Sequence, residues 1–292
     1  MTQKYIGRFA PSPSGPLHFG SVVAALGSYL RAKSLNGKWL LRIEDIDPPR
    51  EPEGAAEQII RELDRLGLHW DGEVYYQSQA SERYLATLDS LLQKNLAYRC
   101  NCSRKRINAL GGIYDGHCRN MQLNDDNKAI RLVNPGSDGR FYDQLLGVQQ
   151  VDPQKASEDF LIHRRDNLFA YQLAVVCDDI HQGITEIVRG SDILAVTPWQ
   201  MALYQQLGQN IPQYLHLPLA VMADGRKLSK QNHAKATYHL DASEIIANAL
   251  AFLGQPLPVE MEKAPTQEQL NYALAHFSIK NIPTSNQLHH VN

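Results

Sequence analysis

The chain has 292 residues with 43% hydrophobic and 21% charged side chains, a balance typical of a soluble globular protein with one large domain and an insertion, or with two modest domains. Because it contains no apolar run of about 18 residues and no apolar stretch at its N-terminus, we expect a cytoplasmic protein without a membrane partner. The formal net charge of −2 gives no overall attraction to nucleic acid, so any RNA contact must depend on a local basic patch, such as Arg99, Arg104, Lys105 and Arg106.

A turn rich in proline and glycine lies near the N-terminus, between a short predicted strand and a predicted helix. The apolar residues Tyr5, Ile6 and Phe9 alternate with other residues as in a short strand. Apolar residues at helical spacing then predict a helix over 21–33. Strand, turn and helix in this order open a doubly wound α/β domain with its ligand at the carboxyl end of the strand. His18 and Gly20 would then lie at a helix N-terminus, which favours an anion such as a triphosphate. Alternatively, the prolines only shape a loop and His18 is a surface histidine.

One more strand and two helices are predicted before residue 95. The strand is expected over 39–46, and the helices over 55–66 and 81–94. Glu44 stands close to the end of that strand, where it is either a site carboxylate or an exposed acid. We interpret residues 1–95 as the first half of a nucleotide-binding catalytic domain.

Three of the four cysteines fall in one short window. They are Cys100, Cys102 and Cys118. Clustered thiols in a cytoplasmic protein indicate a metal before a disulfide, although a set of reduced buried thiols is the alternative. Tetrahedral zinc needs a fourth ligand, which can be His117 or Tyr114. We favour Tyr114, because it precedes Cys118 by four residues and can share a face with it, whereas His117 is adjacent. Such a zinc, one per chain, would be structural because a filled tetrahedron leaves no open position.

The rest of the chain is divided into three ranges. Residues 96–165 are interpreted as an inserted zinc-bearing subdomain, 166–230 as the second half of the catalytic domain, and 231–292 as a short helical segment. Lys227 and Lys230, in the segment Lys227-Leu-Ser-Lys230, would bring positive charge to the same phosphates as the N-terminal turn. The predicted elements are strands over 129–133 and 147–151, a buried strand or helix over 169–176, and helices over 197–207, 242–253 and 266–277.

Four ordered segments resemble class I aminoacyl-tRNA synthetases. Ranges 8–20 and 227–230 are similar to the HIGH and KMSKS signatures of that class, whereas 40–47 (LLRIEDID) and 188–192 (VRGSD) resemble its glutamyl-tRNA synthetase branch. The resemblance covers most of the chain. It implies a Rossmann-like doubly wound parallel sheet with an inserted acceptor-type subdomain that carries zinc in many relatives.

The range 231–292 is too short for the helical domain that binds the anticodon in glutamyl-tRNA synthetases. The chain therefore looks like the truncated branch of the family, the glutamyl-Q tRNA(Asp) synthetases. This resemblance implies that it activates glutamate with ATP and Mg²⁺ and attaches it to the queuosine base in the anticodon of tRNA(Asp). We expect a monomer whose partners are glutamate, ATP and this tRNA. We further expect activation without tRNA, since no anticodon domain would sense a docked tRNA.

The resemblance also implies a set of site residues. The planar guanidinium of Arg8 or Arg189 can bind a carboxylate of glutamate, Glu44 can bind its ammonium group, and the Tyr171 hydroxyl can donate a hydrogen bond. Which arginine binds the side-chain carboxylate stays open. His18 is expected on the α-phosphate. The implied sets are Arg8, Phe9, Ala10, Pro11, Ser12, Glu44, Tyr171 and Arg189 for glutamate, His18, Gly20 and Lys230 for ATP, and His18, Lys227 and Lys230 for catalysis.

Three alternatives from other classes are weaker. A truncated glutamyl-tRNA synthetase that charges the terminal ribose would need the missing anticodon domain. A nucleotidylyltransferase shares the histidine-containing turn but needs no dicarboxylate pocket such as the segments of Glu44 and Arg189 imply. A catalytically inactive RNA-binding module is disfavoured because His18, Lys227 and Lys230 are all present. Leu228 and Gln231 depart from the usual second signature, but neither removes a lysine.

Overall fold

The computed structural model of the protein describes residues 4–123, 128–221 and 236–288. Its strands are β1 (Ile6–Phe9), β2 (Lys38–Ile43), β3 (Tyr75–Tyr76), β4 (Ala97–Cys100), β5 (Ala129–Leu132), β6 (Arg140–Asp143), β7 (Gly147–Gln150), β8 (Leu161–His163), β9 (Glu186–Gly190), β10 (Gln213–Leu217), β11 (Ala220–Val221) and β12 (Gln287–Leu288). Its helices are α1 (Phe19–Ser34), α2 (Ala55–Arg65), α3 (Ser81–Gln93), α4 (Arg104–Ala109), α5 (Pro153–Ala156), α6 (Tyr171–His181), α7 (Thr197–Gln206), α8 (Ala242–Phe252) and α9 (Thr266–His276). Across these residues, no helix is both long and apolar enough to cross a membrane.

A parallel sheet runs through the centre of the molecule. Strand β2 pairs in parallel with β1 and β3, and β10 pairs in parallel with β9 and β6. The two groups are joined because the backbone N–H of Thr185, just before β9, donates to the carbonyl oxygen of Ile6 at 2.9 Å. The resulting strand order is β3-β2-β1-β9-β10-β6, which confirms the predicted α/β fold with a parallel sheet.

Helices cover both faces of this sheet, as alternate residues of β2 show. Trp39 and Leu41 are buried in the core that also contains the apolar face of α1, and the Trp39 indole donates to Ser28 of that helix at 2.9 Å. Arg42 points to the other face, where it meets Asp179 of α6 at 2.6 Å. Side chains of successive strand residues lie on opposite faces, so the two layers are doubly wound around the sheet.

The predicted helices and most predicted strands are confirmed to within a few residues. The range 169–176, which the sequence left open, belongs largely to α6. The strand predicted over 39–46 ends early, at Ile43. It ends there because the next backbone N–H, that of Glu44, donates to the carbonyl oxygen of Pro11 at 3.0 Å and so ties the strand end to the N-terminal turn.

The range 96–165 contributes to two sheets. Strands β4, β5 and β8 form an antiparallel sheet of their own beside the cysteines. The β6–β7 hairpin instead joins the central sheet, because β6 pairs with β10 through Asp143 and Tyr214. The sequence had indicated an insertion here but not this return to the catalytic sheet.

Candidate active site

A cavity of about 720 Å³ opens at the carboxyl ends of β1 and β2, beside the start of α1. This is the edge of a doubly wound sheet at which ligands bind. Eight residues predicted for the glutamate or ATP site line the cavity: Phe9, Ala10, Pro11, Ser12, His18, Gly20, Glu44 and Tyr171. Arg8 and Arg189 are buried and are not among the lining residues, although each directly precedes one, Phe9 and Gly190. Lys227 and Lys230 lie outside the described residues.

His18 is the N-cap of α1. Its Nδ1 accepts a hydrogen bond from the backbone N–H of Ser21 at 3.3 Å, and its carbonyl oxygen accepts from the N–H groups of Ser21 and Val22. Because Nδ1 is an acceptor here, a neutral imidazole carries its proton on Nε2. The side chain therefore offers an N–H donor at the positive end of a helix dipole, which is the arrangement that a phosphate requires.

Arg8 is held by a carboxylate that the sequence analysis did not single out. Its Nε and Nη2 donate to the two carboxylate oxygens of Asp179 at 2.9 and 3.2 Å, and Arg42 donates to the same carboxylate at 2.6 Å. Burial alone would raise the pKa of Asp179, but the guanidiniums of Arg42 and Arg8 outweigh it and hold that pKa below its usual value. The Nε and Nη2 atoms of the Arg8 guanidinium are thus occupied by Asp179.

Glu44 is a buried carboxylate with incomplete hydrogen bonding. Its side chain is 6% exposed, and its Oε1 lies 3.7 Å from Nε of Arg42 without a hydrogen-bond partner among the residues described. Burial raises the pKa of Glu44 to about 7, although Arg42 and Arg8 oppose the shift. A desolvated carboxylate in a cavity is suited to a ligand ammonium, which would stabilise its ionised form.

Tyr171, the first residue of α6, lines the same cavity as Glu44. Burial, followed by the nearby charge of Glu44, raises the pKa of Tyr171 to about 12. The phenol therefore stays protonated near neutral pH and acts as a hydrogen-bond donor or acceptor.

Arg189, from β9, is held entirely by uncharged acceptors. Its Nε donates to Nε2 of His216 at 3.0 Å, its Nη1 to Gln200 at 2.6 Å and its Nη2 to Thr197 at 2.8 Å. On the far side of the imidazole, Nδ1 of His216 lies 2.7 Å from a carboxylate oxygen of Asp143. All of these side chains are buried.

A second cavity, of about 430 Å³, adjoins the first and shares Ser12, Ser14, Glu44 and Tyr171 with it. Its lining is of mixed charge, because Arg104 and Arg164 stand there with Asp47 and Glu51, beside the apolar Leu161 and Phe169. The first cavity therefore borders a smaller one beside Leu161, the first residue of β8.

The three clustered cysteines converge. The sulfur atoms of Cys100, Cys102 and Cys118 all lie within 4.8 Å of one another. The Tyr114 hydroxyl is buried next to them, 3.6 Å from the Cys100 sulfur, and it accepts from the backbone N–H of Cys118 at 2.7 Å. His117 is exposed to solvent. Three thiols and one phenol in this arrangement suit a tetrahedral metal ion of zinc type.

The fold is that of a class I tRNA synthetase catalytic domain. The family model "tRNA synthetases class I (E and Q), catalytic domain" matches residues 5–281. The structure is similar to a glutamate-tRNA synthetase from Elizabethkingia anophelis, with a TM-score of 0.82 and 24% identity over 99% of this chain and 68% of that one. A glutamate tRNA ligase from Elizabethkingia meningosepticum is similar in fold as well, with a TM-score of 0.80 over 98% of this chain and 67% of that one.

The chain belongs to this family and, within it, to the glutamyl-Q tRNA(Asp) synthetases, which are ligases of the aminoacyl-tRNA synthetase type. It is 55% identical over 281 residues to the glutamyl-Q tRNA(Asp) synthetase of Serratia proteamaculans, covering 96% of this chain and 93% of the relative. It is also 55% identical to that of Yersinia pseudotuberculosis, covering 96% of this chain and 85% of the relative.

Proposed function

We propose that this chain activates glutamate with ATP in the absence of tRNA and transfers the glutamyl group to the queuosine base in the anticodon of tRNA(Asp). One observation carries the proposal: a single cavity joins the buried Glu44 carboxylate and the Tyr171 hydroxyl to the His18-capped start of α1. An ammonium acceptor next to a phosphate-binding helix end suits the adenylation of an amino acid.

In the activation step, the α-carboxylate of glutamate attacks the α-phosphate of Mg²⁺-bound ATP and pyrophosphate leaves. Glu44 binds the substrate ammonium, and the guanidiniums of Arg8 and Arg189 attract its two carboxylates. His18 donates from Nε2 to the phosphate, where negative charge increases in the transition state. No covalent enzyme intermediate is needed, so catalysis consists mainly of positioning and charge stabilisation.

In the transfer step, the glutamyl carbonyl must be reached by the acceptor base. The second cavity provides this approach, because it meets the first at Glu44 and Tyr171. Arg104, which lines this cavity and is exposed to solvent, would supply positive charge for the RNA backbone there.

We also propose that Cys100, Cys102, Tyr114 and Cys118 hold one structural zinc ion. The donor set fits, since the three sulfur atoms already converge and the phenol oxygen lies beside them. The ion would fix the loops that follow β4 and carry α4, whose first residue, Arg104, lines the second cavity.

The proposal is tested by ATP–pyrophosphate exchange with glutamate alone, followed by transfer of labelled glutamate. Exchange is expected without RNA, and a queuosine-bearing anticodon stem-loop of tRNA(Asp) should be charged while the same stem-loop without queuosine is not. If exchange appears only after tRNA(Glu) is added, and the product is an ester of the terminal ribose, the chain is instead a truncated glutamyl-tRNA synthetase.

A further inference from the structure

The two arginines proposed to meet the carboxylates of glutamate have opposite electrostatic surroundings. Arg8 shares the carboxylate of Asp179 with Arg42, so much of its charge is balanced inside the protein. The three groups that accept hydrogen bonds from Arg189 are an imidazole, an amide and a hydroxyl, contributed by His216, Gln200 and Thr197. A guanidinium held by neutral acceptors keeps its charge available for an anion.

The chemistry of the donors fixes the direction of this network. A guanidinium has no acceptor atom, so Nε2 of His216 must be unprotonated where Nε of Arg189 donates to it at 3.0 Å. The proton of the neutral ring is then on Nδ1, which donates to Asp143 at 2.7 Å. The Asp143 carboxylate also accepts from the backbone N–H of His216 at 3.0 Å. It therefore fixes both the ring and its tautomer.

Burial supports the same assignment. His216 and Asp143 are 0% exposed, and burial together with the charge of Arg189 lowers the pKa of the imidazole, against the effect of Asp143. A lowered pKa favours the neutral ring that the donation from Arg189 requires. The charge of Asp192 also acts on the ring and, like Asp143, raises its pKa.

We propose that His216, Gln200 and Thr197 form a neutral cradle that orients Arg189 while leaving its charge for a carboxylate of the substrate, and that Asp143 acts on Arg189 only through His216. These are positioning residues. The inference rests on the proposed role of Arg189 in glutamate binding, and it adds that the absence of charge in the cradle, and not only its shape, determines the affinity for glutamate.

The direct test is Gln200→Glu, which is nearly isosteric and places a carboxylate on Nη1 of Arg189. The KM for glutamate in ATP–pyrophosphate exchange should rise about ten-fold or more, the size of one lost hydrogen bond between charged groups, with little change in kcat. The matched control is Gln172→Glu. Gln172 accepts from Gln200 at 2.8 Å, so its new carboxylate would be one side chain removed from Arg189 and should alter the KM much less.

A second pair of variants tests the imidazole without adding charge. His216→Gln can still present an oxygen acceptor to Nε of Arg189 and should retain a lower KM than His216→Ala, with thermal unfolding confirming that both variants are folded. Equal KM values for these two variants would overturn the role of His216 as an acceptor. A KM for Gln200→Glu close to that of the wild type, or equal to that of Gln172→Glu, would overturn the neutral cradle.

Arg189→Ala separates this inference from the proposed function. If Arg189→Ala raises the KM for glutamate and Gln200→Glu does not, only the cradle is wrong. If Arg189→Ala leaves the KM unchanged, the assignment of Arg189 to glutamate is wrong as well.

Discussion

The carboxylate of Glu44 should destabilise the free protein at alkaline pH, so that Glu44→Gln is more stable than the wild type although it loses the ammonium site. The pKa of Glu44 rises from 4.5 to about 7, and therefore the folded state holds a proton that the unfolded state has already released. Stability falls as the pH rises from the unfolded pKa to the folded pKa and stays low above it.

The size of the effect follows from the same two values. At pH 8, ionising Glu44 in the folded protein costs about 3 kcal/mol relative to the unfolded chain, whereas at pH 5 the cost is below about 1 kcal/mol. Arg42 keeps its hydrogen bonds to Asp179 and Gln182 in the variant, so the substitution leaves that guanidinium paired.

The assay is urea unfolding of the wild type and Glu44→Gln at pH 5 and pH 8, without ATP or glutamate. The variant should gain stability at pH 8 and most of the gain should vanish at pH 5. Glu53→Gln, at an exposed acid, is the control and should show no such difference. A Glu44→Gln variant that is less stable than the wild type at pH 8, or a difference that does not depend on pH, would refute the reasoning.

Three further outcomes are expected. Asp179→Asn leaves the buried Arg8 without its carboxylate and should cost about 3–5 kcal/mol of unfolding free energy near pH 7, less in acid, where Asp179 also loses its charge; a loss that does not shrink in acid would contradict the ion pair. His18→Asn keeps an N-cap side chain but removes the imidazole, so adenylate formation should slow about 100-fold while the circular dichroism spectrum is unchanged; a wild-type exchange rate would remove His18 from catalysis. Elemental analysis should find about one zinc per chain in Cys177→Ser and none in Cys102→Ser; zinc retained by both variants would place the metal elsewhere.

Local sequence was sufficient to predict the elements that carry the site. The turn at 8–20 and the apolar spacing after it specify strand, cap and helix within a short stretch, and α1 with its His18 cap is found where they indicate. The β6–β7 hairpin was harder, because its partner is β10, far along the chain. Its alternating residues predict a strand, but nothing local identifies the sheet to which that strand adds.

The supporting residues of the site were missed for the same reason. Arg8 and Asp179 are 171 residues apart, so their ion pair cannot be predicted from spacing. A signal was nevertheless present, since Arg42 interrupts an apolar strand and Asp178 and Asp179 end an apolar run in α6. Charged residues in such buried stretches require partners, and here Asp179 pairs with both Arg8 and Arg42.

The return of the β6–β7 hairpin to the central sheet limits how far the range 96–165 behaves as an exchangeable module. The described loops between β4 and β5 contribute no strand to the central sheet, so a chimera could exchange these loops without altering that sheet. A chimera that exchanged the whole range would also remove Asp143. The carboxylate of Asp143 is hydrogen-bonded to His216, which in turn accepts a hydrogen bond from Arg189. The loops between β4 and β5 can therefore be exchanged separately, whereas the part that contains Asp143 must stay with His216 and Arg189.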